Sequence, residues 1–338
     1  MLRARWTALW GEQLARWLAG LTLAALFVAL PRGGPAGASA GCPPLPAPYD
    51  GPIFDASVQA WDSNLQGLIE NIAGTGVTRI ALFANTRQGG DAAVAAVLAA
   101  QREHPDLIVA GTPKIGFILG GDLPAEYVST TLAGIADGTY RFIGEILYTH
   151  GDKPDHPPTR NGEVYVDPLA HGTVQLLDGI KGRHVPLLTH WESWAWDRDW
   201  PHFDRLYATW PQQQFVLPSL AYGSPEQADT VLSAHTNVWG IISRLVDGRY
   251  QFVDPAKQAK LGLPMSDACG VLRSDWRALL LKHRDHLMYG SDDYATARVG
   301  WDVYPGIIQK YRRIAGQLPP DVAREISWDN AAALYGGR

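Results

Sequence analysis

The chain has 338 residues, 46% hydrophobic and 19% charged, enough for one large core of about 250–300 residues. The formal net charge of -5, with no Lys/Arg run beyond the N-terminus, speaks against nucleic acid as a partner. The 13 tryptophans point instead to aromatic surface beside a pocket for a small molecule.

In chain order, the first forty residues stand apart. Arg3, Arg5 and Arg16 precede an uncharged run at 17–30, then Pro31, a small-residue tract and Ala38-Ser39-Ala40. This matches a secretory signal with an A-x-A cleavage site, and the run is short of the about 20 apolar residues of a membrane span. Residues 1–40 are therefore expected to be a signal peptide or a membrane anchor. The protein is expected to be exported, periplasmic or extracellular, with the membrane touched only through this segment. Cys42 and Cys269 are the two cysteines; their spacing fits no zinc motif, and pairing in an oxidising compartment and two unpaired thiols both remain open.

Residues 41–52 form a proline-rich lead-in to a domain over 53–338. The first strand is expected at 53–59 (IFDASVQ), with Asp55, Ser57 and Gln59 on one face by the two-residue period. A helix follows at 65–72, a strand at 77–84, a helix at 92–103, and a strand from 107 toward 117. Next come a helix at 123–136, a strand at 141–148 containing Glu145, a Pro/Gly-rich loop at 151–162 and a helix at 168–180. The fifth strand, 185–191, ends in His190; a helix at 202–209 leads to a strand at 214–222 holding Ser219. A helix at 225–234, a strand at 238–246 with Arg244, a long loop and a helix at 274–283 follow. The eighth strand, 287–289, runs into Gly290-Ser291-Asp292-Asp293, and helices at 303–314 and 320–334 end the pattern.

Eight strand–helix alternations in one core indicate a parallel sheet closed into a (β/α)8 TIM barrel of α/β class. No Gly-x-Gly-x-x-Gly follows the first strand, which removes the simplest dinucleotide site. Polar residues near the carboxyl ends of strands (Asp55, Ser57, Gln59, Glu145, His190, Ser219, Asp292) then converge on one pocket.

The motifs IFDASVQ, IGEIL, LLTHWE, MYGSDDYA and WDNAAALYG resemble the amidohydrolase superfamily in its amidohydrolase-related branch. The resemblance implies a TIM-barrel enzyme that binds one or two divalent metals and hydrolyses an amide, ester or lactone; some relatives decarboxylate or hydrate. It assigns His190 and Asp292 as catalytic or metal residues and Glu145 as a fourth-strand carboxylate. It also implies imidazoles where this chain has Ser57, Gln59 and Ser219. Serine and amide oxygens suit zinc poorly. The expectation is a reduced site of Glu145, His190 and Asp292, completed by the Gln59 carbonyl, holding one divalent ion (manganese, iron, zinc or magnesium) or none.

Three readings stay open: a hydrolase with this reduced site, a metal-independent hydrolase or lyase using a His190–Asp292 pair, and a noncatalytic exported binding protein. Ser57, Ser219, Arg244, Trp191 and Trp194 are candidate substrate contacts, and Arg87 and Lys114 candidate clamps for a carboxylate. His150, beyond the fourth strand, turns in only if the chain bends there. The tryptophans of residues 191–200 form either a pocket wall or packing against the rim or a second copy in a homo-oligomer.

Overall fold

The computed structural model describes residues 41–61, 64–116, 121–151, 163–243, 246, 254–262, 264–294 and 300–336, with backbone alone at 87–89 and 293–294. The signal-like segment and Arg244 lie outside the described residues, as does the side chain of Arg87. No helix among the described residues is long and apolar enough to cross a membrane.

Eight parallel strands form the barrel: β1 (Ile53–Ala60), β2 (Val77–Ala84), β3 (Ile108–Ala110), β4 (Ile143–Leu147), β5 (Leu187–His190), β6 (Phe215–Leu217), β7 (Val238–Ile241) and β8 (Leu287–Met288). They pair in sequence order in two runs, β1-β2-β3 and β4-β5-β6-β7-β8. A bridge from Gly111 to Phe142 joins β3 to β4. The ring closes where Ala56 N–H donates to Tyr289 O (3.0 Å) and Asp292 N–H to Ser57 O (2.8 Å). This order and closure make the TIM barrel expected from the alternation.

Two apolar layers explain why the strands read as near-continuous hydrophobic runs. Phe54, Ala56, Phe83, Phe142, Leu188, Val216, Ile241 and Met288 fill the interior together with Tyr335. Ile53, Val58, Ile80, Leu82, Ile143 and Leu187 pack outward against the helices. Those helices are α1 (Gln66–Ile72), α2 (Thr86–Glu103), α3 (Ala125–Ala136), α4 (His171–Gly179), α5 (Trp196–Thr209), α6 (Pro225–Ala234), α7 (Ser274–Lys282) and α8 (Tyr304–Ala315). The amphipathic logic is plain in α8, which buries Tyr304, Ile307, Ile308, Tyr311, Ile314 and Ala315 at three- and four-residue spacing.

Two strands depart from expectation. In β1 the pairing shifts register between Asp55 and Val58. Phe54 and Ala56 face inward while Val58 faces outward, so the two-residue period breaks at Ser57. Asp55 therefore does not share a face with Gln59. It points toward α8, where Tyr304 Oη–H donates to its Oδ2 (2.9 Å). The sixth strand is also shorter than expected. After Leu217, residues Ser219, Leu220, Ala221 and Tyr222 all have φ between 46° and 56°, a left-handed turn costing roughly 1–2 kcal/mol per residue.

Candidate active site at the carboxyl ends of the strands

Gln59, the last inward residue of β1, is the hub of the site. Its Oε1 accepts from Asn85 Nδ2 (2.9 Å), Lys114 Nζ (3.4 Å) and Trp61 Nε1 (3.4 Å). Its Nε2 donates to Asp292 Oδ1 (2.5 Å) and Glu145 Oε2 (3.3 Å). Three donors on one side and two carboxylates on the other leave only this amide orientation chemically sensible. The Gln59 carbonyl is thus occupied by N–H groups, which removes it from the metal shell expected from the sequence.

Glu145 is brought in by a close approach of backbones. A Cβ at Gly144 would lie 2.0 Å from Thr112 O, so glycine lets the chain after β3 press against β4, and Gly144 N–H bonds Thr112 Oγ1 (3.0 Å). Glu145 then meets the Lys114 ammonium in a direct ion pair and His190 Nδ1 at 2.5 Å. Burial would raise this carboxyl, but Lys114 and His190 hold it well below the usual carboxylate range.

His190 ends β5, with Nε2 3.2 Å from Glu192 Oε1. Burial works against the charged imidazolium, yet Glu145 and Glu192 outweigh it and raise the pKa. The expected His190–Asp292 pair is not formed: Glu145 and Glu192 flank the imidazole, while Asp292 is held by Gln59. Glu192 is fully buried, and its Oε2 accepts from Gly151 N–H (2.6 Å) and Trp194 Nε1–H (3.0 Å). It went unassigned in the sequence, although the two-residue period counted on from His190 reaches it.

Asp292 has φ 47°, a left-handed conformation that aspartate tolerates better than most residues. It is partly exposed, and its N–H is tied to Ser57 O, so Ser57 meets the site through its backbone. A Cβ at Gly290 would lie 2.7 Å from Ile241 Cγ2 and 3.1 Å from Ser57 N, which explains the glycine before Ser291 and Asp292. Ser219 sits apart in the left-handed turn, its Oγ 2.6 Å from Ser243 Oγ beyond β7. That turn sets the Tyr222 ring 6.2 Å from the His190 ring, and strain of this kind gathers at functional sites.

The two tryptophans part company. Trp191 is completely buried, stacked on Phe203 (4.9 Å) with Nε1–H on Tyr207 Oη (3.1 Å). It packs β5 against α5. Trp194 is half-buried beside Tyr222 and Leu261, with Lys257 Nζ 3.9 Å from its ring centroid. His150 does turn in: Thr149–His150 pairs with Val164–Tyr165, and the His150 ring lies 5.7 Å from that of His190.

No family model matches the sequence, and no curated protein is significantly similar to it. By fold it is similar to an uncharacterized TIM-barrel protein from Bordetella bronchiseptica (TM-score 0.56, 12% identity, covering 85% of this chain and 100% of that one). It is also similar to dihydroorotase from Campylobacter jejuni (0.51, 13%, 87% and 84%) and to 2,6-dihydroxybenzoate decarboxylase from Rhizobium (0.50, 10%, 85% and 99%). The neighbours that carry an enzyme name are TIM-barrel members of the amidohydrolase superfamily. At these identities the likeness is one of fold.

Proposed function

We propose that the chain is an amidohydrolase-type hydrolase that cleaves a C–N or C–O bond (amide, ester or lactone) of a small molecule. The observation that carries this reading is the linked set Asp292–Gln59–Glu145–Lys114, two carboxylates and a cation held on one part-buried frame at the carboxyl ends of barrel strands. The enzyme neighbours by fold support it as analogy alone.

The metal arrangement implied by the resemblance does not fit these residues. Ser57 and Gln59 replace imidazoles, Ser219 is bonded to Ser243, and the Gln59 carbonyl faces N–H donors. No step is therefore routed through an ion here. Asp292, the partly exposed carboxylate, takes a proton from water as its oxygen attacks the substrate carbonyl carbon, and returns that proton to the leaving nitrogen or oxygen as the C–N or C–O bond breaks. Lys114 directs two of its three N–H donors to Glu145 and Gln59; the third serves the oxyanion that forms. Glu145, braced by His190, holds the ammonium in place. Trp194 and Tyr222 form an apolar wall for the substrate.

The work is assigned to an exported protein. The signal-like sequence of residues 1–40 supports this, as does the finding that neither cysteine is a free thiol.

The test is hydrolysis of a panel of amides, esters and lactones by the wild type, Asp292→Asn and Lys114→Met. Turnover lowered at least about 100-fold in both variants supports the reading. Release of carbon dioxide from aromatic acids without hydrolysis would replace it with a lyase. Tight ligand binding with no pocket-dependent turnover would make the protein a binder.

A further inference from the structure

Beyond the Gln59–Asp292 frame, a second set of buried polar side chains gathers on the β4–β5 side. The His150, His190 and Glu192 donor atoms all lie within 4.8 Å of one another, and all three residues are buried. Their placement follows from strand geometry. Tyr148 N–H donates to His190 O (2.9 Å) and Glu192 N–H to Thr149 Oγ1 (3.1 Å). The chain beyond β4 therefore runs beside the chain beyond β5. His190 and Glu192, two residues apart on extended backbone, share a face, and His150 arrives from the neighbouring ribbon.

The surroundings are those of a ligand set held for a cation. His190 Nδ1 is engaged by Glu145, which leaves Nε2 directed toward Glu192 and fixes the ring. A carboxylate on the far nitrogen is what orients metal-binding imidazoles and raises their basicity. Glu192 Oε2 is held by a backbone amide and an indole, both neutral donors, while Oε1 faces His190. Two imidazoles and one carboxylate suit zinc, manganese or ferrous iron, and three protein ligands leave positions for water or substrate.

We propose that His150, His190 and Glu192 form a binding site for one divalent transition-metal ion, displaced from the Glu145/Asp292 set toward the β4–β5 edge. His190 belongs to both sets, its Nδ1 toward Glu145 and its Nε2 toward Glu192. The substitutions at Ser57, Gln59 and Ser219 then do not abolish metal binding; they move it. The inference stands independently of the proposed hydrolysis, because its readout is metal content.

The test uses the full chain purified without a chelating tag. It is incubated separately with zinc, manganese and ferrous iron, desalted, and measured by elemental mass spectrometry. The wild type and Asp292→Asn should retain about one ion per chain, while His150→Ala and Glu192→Gln should fall at least tenfold. Cobalt(II) added to the wild type should give visible absorption bands that are lost in His150→Ala, and circular dichroism of each variant separates a lost ligand from a lost fold. Two results would overturn the proposal. One is a wild type that retains none of these ions. The other is metal that persists in folded His150→Ala and Glu192→Gln but leaves with Asp292→Asn.

Discussion

Gln59 Nε2 stands 2.5 Å from Asp292 Oδ1 and 3.3 Å from Glu145 Oε2, so a single neutral amide separates two carboxylates that would otherwise face each other. Gln59→Leu should lower stability by about 1–3 kcal/mol, since it leaves buried acceptors and donors unmade. Gln59→Glu should be worse at pH 7 and partly recover near pH 5, where a third carboxyl takes up a proton. Urea unfolding at the two pH values checks this; equal stability of wild type and both variants would count against the bridging role.

Among the described residues, Lys114 and His190 are the cationic groups paired with Glu145, and the Lys114–Glu145 pair is largely buried. Lys114→Met should destabilise by about 3 kcal/mol, because it strands a buried carboxylate. Lys114→Met combined with Glu145→Met should lose less than the sum of the two single changes. A double-mutant cycle by thermal or chemical unfolding gives the coupling, and strict additivity would show that the pair contributes nothing.

Asp55 sets a pH dependence of definite sign. Burial pushes its carboxyl from 3.8 up to about 7, against hydrogen bonds from Ser291, Tyr304 and Ser57. A folded-state pKa above the unfolded value means that the group's stabilising contribution is complete below about pH 3.8 and lost as pH rises through about 7. The slope approaches at most about 1.4 kcal/mol per pH unit for one group. Asp55→Asn should flatten this part of the stability profile between pH 4 and 7. Glu145, held low, acts in the opposite sense: its contribution is present above its unfolded pKa and lost on acidification.

Trp191 and Trp194 should separate stability from ligand contact. Trp191→Ala removes a fully buried ring and should cost about 3–5 kcal/mol. Trp194→Ala, at a half-buried position, should cost under about 1 kcal/mol and act on KM instead. Denaturation midpoints set beside steady-state kinetics distinguish the two, and a Trp191→Ala protein of unchanged midpoint would contradict the packing described.

Much of the barrel was legible because a parallel sheet buried on both faces writes each strand as an apolar run closed by a polar residue. That is how Glu145, His190 and Asp292 could be placed at strand ends. What the pattern could not carry was phase. The irregularity at Ser57 turns Asp55 away from Gln59, and no residue type announces it. Trp191 and Trp194 look alike in sequence, yet odd–even position along β5 sends the first into the core. Glu192 lies within reach of the same odd–even count, one residue beyond the strand expected at 185–191. The partners of His190 are set by contacts between β4 and β5, 45 residues apart for Glu145, and such contacts leave no local signature.

Tyr335 closes the barrel floor opposite the site, packed against Phe54 and Phe142 (ring centroids 5.8 and 5.1 Å) with its Oη–H on Ala56 O. Its acceptor on the first strand lies 279 residues earlier. At about 5–20 residues per second of synthesis, β1 leaves the ribosome roughly 15–55 s before the ring that covers it. Until then Phe54 and its neighbours have no floor to pack on, so the newborn chain carries an open apolar end through most of its own making. A ribosome stalled before Tyr335 should therefore display an unfinished, protease-sensitive β1.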